Sequence, residues 1–203
     1  MRVLIDGPVG PLEAMAEEGS NAVAPYALVC HPHPLFGGTM ENKVVTTAAR
    51  ALNASGMPTL RFNFRGVGAS AGRYDDGRGE TEDAAAVAAW GARRWTGRSV
   101  LIAGFSFGAY VALRLAQTLP PTRLITIAPP VGRFDFSALA APACPWLILQ
   151  GDADDVVRPQ DVRDWAATAA ASAHLVMLPG VGHFFHGHLS GLRDAIVREI
   201  QGG

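Results

Sequence analysis

The pentapeptide GFSFG at residues 104–108 constrains the fold of this chain more than any other stretch. An apolar run of strand length, 100–103, precedes it, and a segment with the pattern of a helix, 109–119, follows it. G-x-S-x-G between a strand and a helix is typical of a nucleophile elbow, where the serine occupies a strained turn. The two glycines leave room where strand and helix approach closely. We therefore predict that the Ser106 hydroxyl stands clear of the backbone, with helix N–H groups directed at it.

Strand-like and helical segments alternate from Tyr26 onward, which predicts an α/β fold with a mainly parallel sheet and helices on both faces. Two short segments before it, 2–5 and 12–16, flank a glycine-rich turn and predict an antiparallel hairpin. The further strands are predicted at 26–30, 59–64, 123–128, 145–150 and 174–178, and the further helices at 41–55, 82–95, 160–172 and 189–200. Ligands of such sheets bind at the carboxyl ends of the strands.

The overall composition is that of a globular chain, with 203 residues, 49% hydrophobic and 17% charged. We expect one domain over residues 1–203. The net charge of −1 gives no electrostatic reason to bind nucleic acid or an anionic membrane. Neither a membrane-spanning run nor a signal-peptide pattern is present, so we expect a cytoplasmic protein. Cys30 and Cys144 lie in or beside apolar segments and are expected to be free thiols.

A serine nucleophile needs a histidine base within hydrogen-bond reach and a carboxylate that orients the histidine. The chain offers both in the order serine, acid, histidine: Ser106 precedes an acidic loop at 151–157, and a histidine-rich loop follows the last predicted strand. Each loop follows a strand, so the carboxyl edge of the sheet would bring them together. The candidate acids are Asp152, Asp154 and Asp155, and the candidate bases are His183, His186 and His188.

Five segments together resemble a known family. They are HPHPLFGGTMENKVV from His31, RFNFRGVGASAG from Arg61, GFSFGAYVAL from Gly104, GDADDVV from Gly151 and GVGHFFHGHL from Gly180. The chain is similar to small, lidless bacterial α/β-hydrolases of the serine-hydrolase type, close to dienelactone-hydrolase-like and CocE/NonD-like esterases. The resemblance implies an α/β-hydrolase fold without a cap domain. It departs from dienelactone hydrolases at Ser106, which is a cysteine there, so their substrate is not implied.

The resemblance also selects among the candidates. In the family pattern G-x-x-D-x-x-V the acid falls on Asp154, and in G-x-x-H-F-F the base falls on His183. The other two aspartates are then expected to cap turns or face solvent, and the other two histidines to lie at the surface or at a helix start. The resulting catalytic residues are Ser106, Asp154 and His183.

An oxyanion hole needs two backbone N–H groups, and Phe107, directly after the nucleophile, is expected to give one. The other should come from the loop after the 26–30 strand, where the prolines have no N–H. Matching His33-Pro34 to the His-Gly of related hydrolases points to Leu35, with Phe36 as the alternative. The residues expected to wall the substrate pocket are Phe36, Phe134, Phe136 and Phe184.

Two further polar features are interpreted as structural. His31 and His33 are expected to bond nearby loops rather than to take part in catalysis. Arg65, which follows the 59–64 strand, is expected to form an internal ion pair with Glu80 or Asp83.

These observations favour a serine hydrolase that cleaves carboxylic esters of small acyl groups through an acyl-enzyme. We expect no cofactor or metal, a small acyl compound as the partner, and neither nucleic acid nor membrane; the oligomeric state is left open. The link 129–144 is too short for a cap domain, so we expect an open site. A thioesterase, an acyltransferase or a peptidase would use the same triad, and a non-catalytic binding scaffold is a further alternative. A zinc hydrolase is disfavoured because no H-E-x-x-H spacing is present, and a dinucleotide-binding protein because the third glycine of G-x-G-x-x-G comes one position late.

Overall fold

The structure, a computed structural model, describes residues 1–168, 170 and 173–202. The strands are β1 (Arg2–Gly7), β2 (Gly10–Glu17), β3 (Tyr26–Cys30), β4 (Thr59–Phe62), β5 (Val100–Phe105), β6 (Arg123–Ile127), β7 (Trp146–Gly151) and β8 (His174–Leu178). The helices are α1 (Lys43–Ala54), α2 (Arg78–Arg94), α3 (Phe107–Ala116), α4 (Pro159–Thr168) and α5 (Leu189–Gln201), with a 3₁₀ turn at Pro34–Phe36.

Within these described ranges, eight strands form one sheet in the order β1-β2-β4-β3-β5-β6-β7-β8. The hairpin β1-β2 is antiparallel, β2 runs antiparallel to β4, and every other neighbouring pair is parallel. Every residue of β3, β5 and β7 is buried. The sheet confirms the predicted α/β-hydrolase fold with an antiparallel N-terminal edge.

The core lies on both faces of the sheet, as the alternating pattern predicts. One face packs against α2, α3 and α4 through residues such as Val87, Val111 and Val162. The other face packs against α1 and α5 through Val45 and Ile196. The central strands therefore read as continuous apolar runs, because both of their faces are covered. No helix in the described part of the chain is long and apolar enough to span a membrane.

The segment between β6 and β7 contains turns and one isolated bridge, Val131 to Phe134, but no helix. It has no room for a cap domain, as predicted. Both cysteines are free thiols, also as predicted, and burial raises the pKa of the Cys30 thiol far above its usual range. Of the predicted helix at 160–172, residues 169, 171 and 172 lie outside the described residues.

Helix α2 begins at Arg78, earlier than the predicted start at 82, because a side chain closes its first turn. The Glu80 carboxylate accepts the backbone N–H groups of Asp75 at 2.9 Å and Gly77 at 2.8 Å. Glu80 is thereby used for capping, and the predicted ion pair of Arg65 is made with Asp83 instead.

The Arg65–Asp83 pair joins the loop after β4 to α2. Arg65 donates to the Asp83 carboxylate from Nη2 at 2.8 Å, from Nε at 3.0 Å and from its backbone N–H at 3.0 Å. Both residues are buried. A buried charge pair needs such complete hydrogen bonding to offset its desolvation, so this loop is held firmly against α2.

The elbow glycines predict a specific response to substitution. A Cβ on Gly108 would lie 2.4 Å from the Cys30 carbonyl oxygen, whereas a Cβ on Gly191 of α5 would meet nothing within 4 Å. Gly108→Ala must shift backbone, so we expect a loss of about 2–3 kcal/mol in the free energy of unfolding. Gly191→Ala, the control, should be neutral or stabilising by up to about 1 kcal/mol. Urea unfolding measures both, and equal stability of the two variants would contradict the close packing.

Candidate active site

Ser106 occupies the turn between β5 and α3 with φ 53° and ψ −122°, a backbone conformation that residues other than glycine rarely adopt. The turn is held by hydrogen bonds on both sides. The Ser106 N–H donates to the Ile127 carbonyl at 2.8 Å, and the Ser106 carbonyl accepts from Ala109 at 2.7 Å. Strain of this kind persists only where the surrounding structure fixes it. Here it lifts the hydroxyl to the carboxyl edge of the sheet, as the motif predicts.

Three predicted residues from separate loops form one hydrogen-bonded row. His183 Nε2 lies 3.1 Å from Ser106 Oγ, and His183 Nδ1 lies 2.8 Å from Asp154 Oδ2. The imidazole and the carboxylate are both buried. Because the carboxylate faces Nδ1, that nitrogen carries the proton and Nε2 is left as the acceptor for the serine hydroxyl. The row has the geometry of a nucleophile, a general base and an orienting acid.

The Asp154 carboxylate is fully hydrogen-bonded. Its Oδ1 accepts from the N–H groups of Val156 at 2.9 Å and Val157 at 2.7 Å, and its Oδ2 accepts from Gln150 Nε2 at 2.9 Å. Burial by itself would raise the pKa of Asp154, but the hydrogen bonds from His183, Val157 and Gln150 outweigh it and hold the pKa below its usual value. The acid therefore remains ionised when it faces the imidazole.

The competing acids and bases lie outside this row. Asp152 is exposed and accepts the Gly180 N–H at 2.6 Å, and Asp155 is also exposed. His186 is exposed and stacks on Phe184, while His188 is exposed at the N-cap position of α5 and makes no side-chain capping hydrogen bond. These placements agree with the structural interpretation of the four residues.

The loop after β3 does not match the prediction that Leu35 or Phe36 gives the second oxyanion N–H. The Leu35 N–H donates to His33 Nδ1 at 3.3 Å, and the Phe36 N–H donates to the His33 carbonyl at 3.1 Å. Both of the predicted N–H groups are thus used inside the 3₁₀ turn, and the Leu35 side chain is 67% exposed. The His33 N–H has no acceptor among the described residues, and His33 lines the cavity at Ser106. His33 replaces Leu35 as the candidate, beside Phe107 at the first position of α3, where an N–H has no intrahelical acceptor.

Two cavities of about 310 and 230 Å³ open onto Ser106 and share several walls. Of the predicted pocket residues, Phe36 and Phe184 line the first and Phe36 and Phe134 the second. Phe136 is a correction: it is buried, with its ring 5.3 Å from that of Tyr110 and 5.1 Å from that of Trp165, and it belongs to the core. A larger cavity of about 630 Å³ lies at the opposite edge of the sheet and contains no residue of the row.

His31 has the structural role expected of it. Its Nε2 accepts the Phe64 N–H at 2.9 Å, so Nδ1 carries the proton and donates to the Pro32 carbonyl at 2.6 Å. Burial lowers the pKa of His31 to about 3, which keeps the ring neutral. Within the described residues, no group of three or more histidine, cysteine or carboxylate side chains is placed to hold a metal ion.

Two residues of the site were not predicted. Gln150 is a polar residue in an otherwise apolar, buried strand, and that mismatch is a signal that sequence reasoning could have used. Arg133 lines both cavities but lies in the irregular segment after β6, where no pattern singles it out.

The sequence is similar to a known protein family and to a bacterial relative. The sequence matches the family described as X-Pro dipeptidyl-peptidase (S15 family) over residues 21–140. An uncharacterized protein of Rickettsia prowazekii is 40% identical over 194 residues, which cover 91% of this chain and 82% of that protein.

Two solved structures are also similar. An α/β serine hydrolase homologue from Coxiella burnetii is 46% identical with a TM-score of 0.93, covering 98% of this chain and 96% of that one. A Xanthomonas campestris protein, described as an α/β serine hydrolase without a lid, is 48% identical with a TM-score of 0.93. The match covers 99% of this chain and 93% of that one.

Gln150 should act as a positioning residue. Gln150→Met keeps the side-chain length but removes one hydrogen bond to the Asp154 carboxylate, so we expect kcat to fall about 10-fold, or about 1.4 kcal/mol, with little change in KM. The pKa of Asp154 should rise with the loss of that donor, so activity should be lost at a higher pH on acidification than in the wild type. Gln160→Met, at an exposed amide that donates to Asp164 and lines neither cavity, is the control. A Gln150→Met enzyme with wild-type kcat and pH profile would contradict this role.

Proposed function

Since the chain belongs to the S15 family of α/β-hydrolases, and to the lidless serine hydrolases among its relatives, we propose that it is an esterase that cleaves small carboxylic esters. Membership and fold make it a hydrolase; the ester substrate is the proposal. The observation that carries it is the row of Ser106, His183 and Asp154, with contacts of 3.1 and 2.8 Å.

The geometry supports a two-step acyl transfer. Ser106 Oγ attacks the ester carbonyl carbon while His183 Nε2 takes the hydroxyl proton, and Asp154 stabilises the imidazolium through Nδ1–H. The N–H groups of Phe107 and His33 stabilise the oxyanion of the tetrahedral intermediate. His183 then gives its proton to the departing alcohol, which leaves the acyl group on Ser106. A water activated by His183 attacks this ester and releases the acid.

The lining of the cavities favours an ester over a dipeptidyl substrate. A dipeptidyl-peptidase takes peptides with a free amino terminus, and a buried ammonium group needs a carboxylate partner. Among the lining residues that the structure describes, neither cavity at Ser106 has an aspartate or glutamate, and the charged group present is the cation Arg133. Thioesters and acyl acceptors other than water remain alternatives on the same residues.

The nucleophile is tested by substitution and labelling. Ser106→Ala should lower kcat by roughly 10³-fold or more, because the row acts as a unit, and a fluorophosphonate should add mass only to the peptide that holds Ser106. Ser137→Ala, an exposed serine bonded to Asp135, should keep both activity and labelling. Labelling of a cysteine peptide, with Ser106 unmodified, would refute the proposal.

The open site predicts the preferred acyl length. Phe36 is 86% exposed at the cavity mouth and the segment between β6 and β7 forms no cap, so only the first carbons of an acyl chain leave water. Each buried methylene contributes about 0.8 kcal/mol, about 4-fold in kcat/KM. We expect p-nitrophenyl esters of about two to six carbons to be the best substrates, since longer chains bury no further methylenes.

The same ester series, measured below and above micelle formation, should show no jump in rate, because there is no lid to open. An optimum at long chains, or a sharp rise above the critical micelle concentration, would mean that the pocket is deeper or covered.

A further inference from the structure

Building on the proposed esterase function, we propose that Arg133 forms an anion subsite in the same cavity as Ser106. The substrate class it selects is an ester that carries a carboxylate a few bonds from the scissile carbonyl. The carboxylate can belong to the acyl group or to the alcohol, and the experiment below separates the two.

The backbone of Arg133 is fixed relative to the nucleophile. It lies in a tight turn after β6, in which the N–H groups of Arg133 and Phe134 donate to the Pro130 carbonyl at 3.1 and 3.4 Å. The Phe134 ring lies 4.8 Å from the Tyr110 ring and 5.3 Å from the Phe107 ring, measured between centroids. Because both of those aromatic residues belong to α3, the turn is anchored on the helix that begins directly after Ser106.

The guanidinium is held at one nitrogen and free at the others. Arg133 Nε donates to the Val156 carbonyl at 3.0 Å, and the Val156 N–H in turn bonds the Asp154 carboxylate. Among the described residues, neither terminal nitrogen of Arg133 has a hydrogen-bond acceptor or a carboxylate within 4.0 Å. The two terminal N–H groups of an arginine present parallel donors that match a carboxylate.

Asn42, a second polar side chain of this cavity outside the serine row, is also a donor. Asn42 lines the 310 Å³ cavity and uses its Oδ1 to accept the Val44 N–H at 2.9 Å, at the start of α1. Its amide NH₂ has no acceptor in the part of the chain that the structure describes. With Arg133 cationic, the Asn42 amide free to donate and no carboxylate in the described walls, the side chains outside the serine row favour an acceptor-only anion over a cationic group.

The expected preference is moderate, because Arg133 is exposed to solvent on one side. An ion pair at the mouth of a cavity is weaker than a buried one and is screened by salt. We expect about 10-fold in kcat/KM for the anionic ester over its neutral counterpart at low ionic strength, with the ratio declining as salt is added.

The experiment compares two pairs of nearly isosteric esters. Monomethyl glutarate and its neutral ω-amide place the charge on the acyl group, and 4-acetoxybenzoate and 4-acetoxybenzamide place it on the alcohol. For the wild-type enzyme, the ratio of kcat/KM between the anionic and the neutral ester should be about 10 in at least one pair. The pair that shows it identifies whether the acyl group or the alcohol of the substrate carries the carboxylate.

In Arg133→Gln the ratio should fall to about 1, and in Arg133→Lys it should be intermediate because the charge remains but the paired donors are lost. The control is Arg158→Gln: its side chain is 80% exposed, pairs with Asp161 and does not line either cavity, so its ratio should equal that of the wild type.

The possible failures are distinguishable. If the neutral esters are hydrolysed but both ratios are near 1, or the ratio survives in Arg133→Gln, the subsite is refuted and the esterase proposal stands. If none of the four esters is hydrolysed and fluorophosphonate leaves Ser106 unlabelled, both proposals are overturned.

Discussion

The close contact of β5 and α3 around Ser106 is the constraint on which the site depends. A Cβ on Gly104 would lie 2.1 Å from the Gly108 carbonyl oxygen, and one on Gly108 would lie 2.4 Å from that of Cys30. The start of α3 is therefore pressed against the ends of both β5 and β3. That approach brings Phe107, the first residue of α3, to the same cavity wall as His33, with the two rings 5.0 Å apart between centroids. The strain at Ser106 follows from the same approach and is offset by the packing of α3 in the core.

The strand positions and the serine row could be predicted because they depend on short-range patterns. Each reactive loop follows an apolar run of strand length, and parallel strands in one sheet deliver their carboxyl ends to one edge. Chain order brings the acidic loop and the last histidine-rich loop to Ser106, and the family resemblance then selects Asp154 and His183 within them. The Arg65–Asp83 pair could be anticipated for a similar reason, since an arginine buried beside a strand needs a carboxylate partner.

The positions that sequence reasoning missed depend on side-chain direction and local turns. Phe134 and Phe136 are alike in the sequence, yet the first faces the cavity and the second the core. The 3₁₀ turn after His33 uses the N–H groups of Leu35 and Phe36 internally, which no composition rule reveals. Arg133 is one of many polar residues in irregular segments, and only its three-dimensional neighbours single it out.

Val156 connects Asp154 to Arg133 at the cavity mouth. The Val156 N–H bonds Asp154 Oδ1, and the Val156 carbonyl accepts from Arg133 Nε. The negative charge of Asp154 is thereby enclosed by donors and faces His183, while the positive charge of Arg133 is displayed to the open cavity. The two exposed aspartates of the same loop, Asp152 and Asp155, line neither cavity at Ser106, so Arg133 is the charged side chain that the described walls present there. The loop after β7 thus orients the His183 imidazole through Asp154 and holds the Arg133 guanidinium through the Val156 carbonyl.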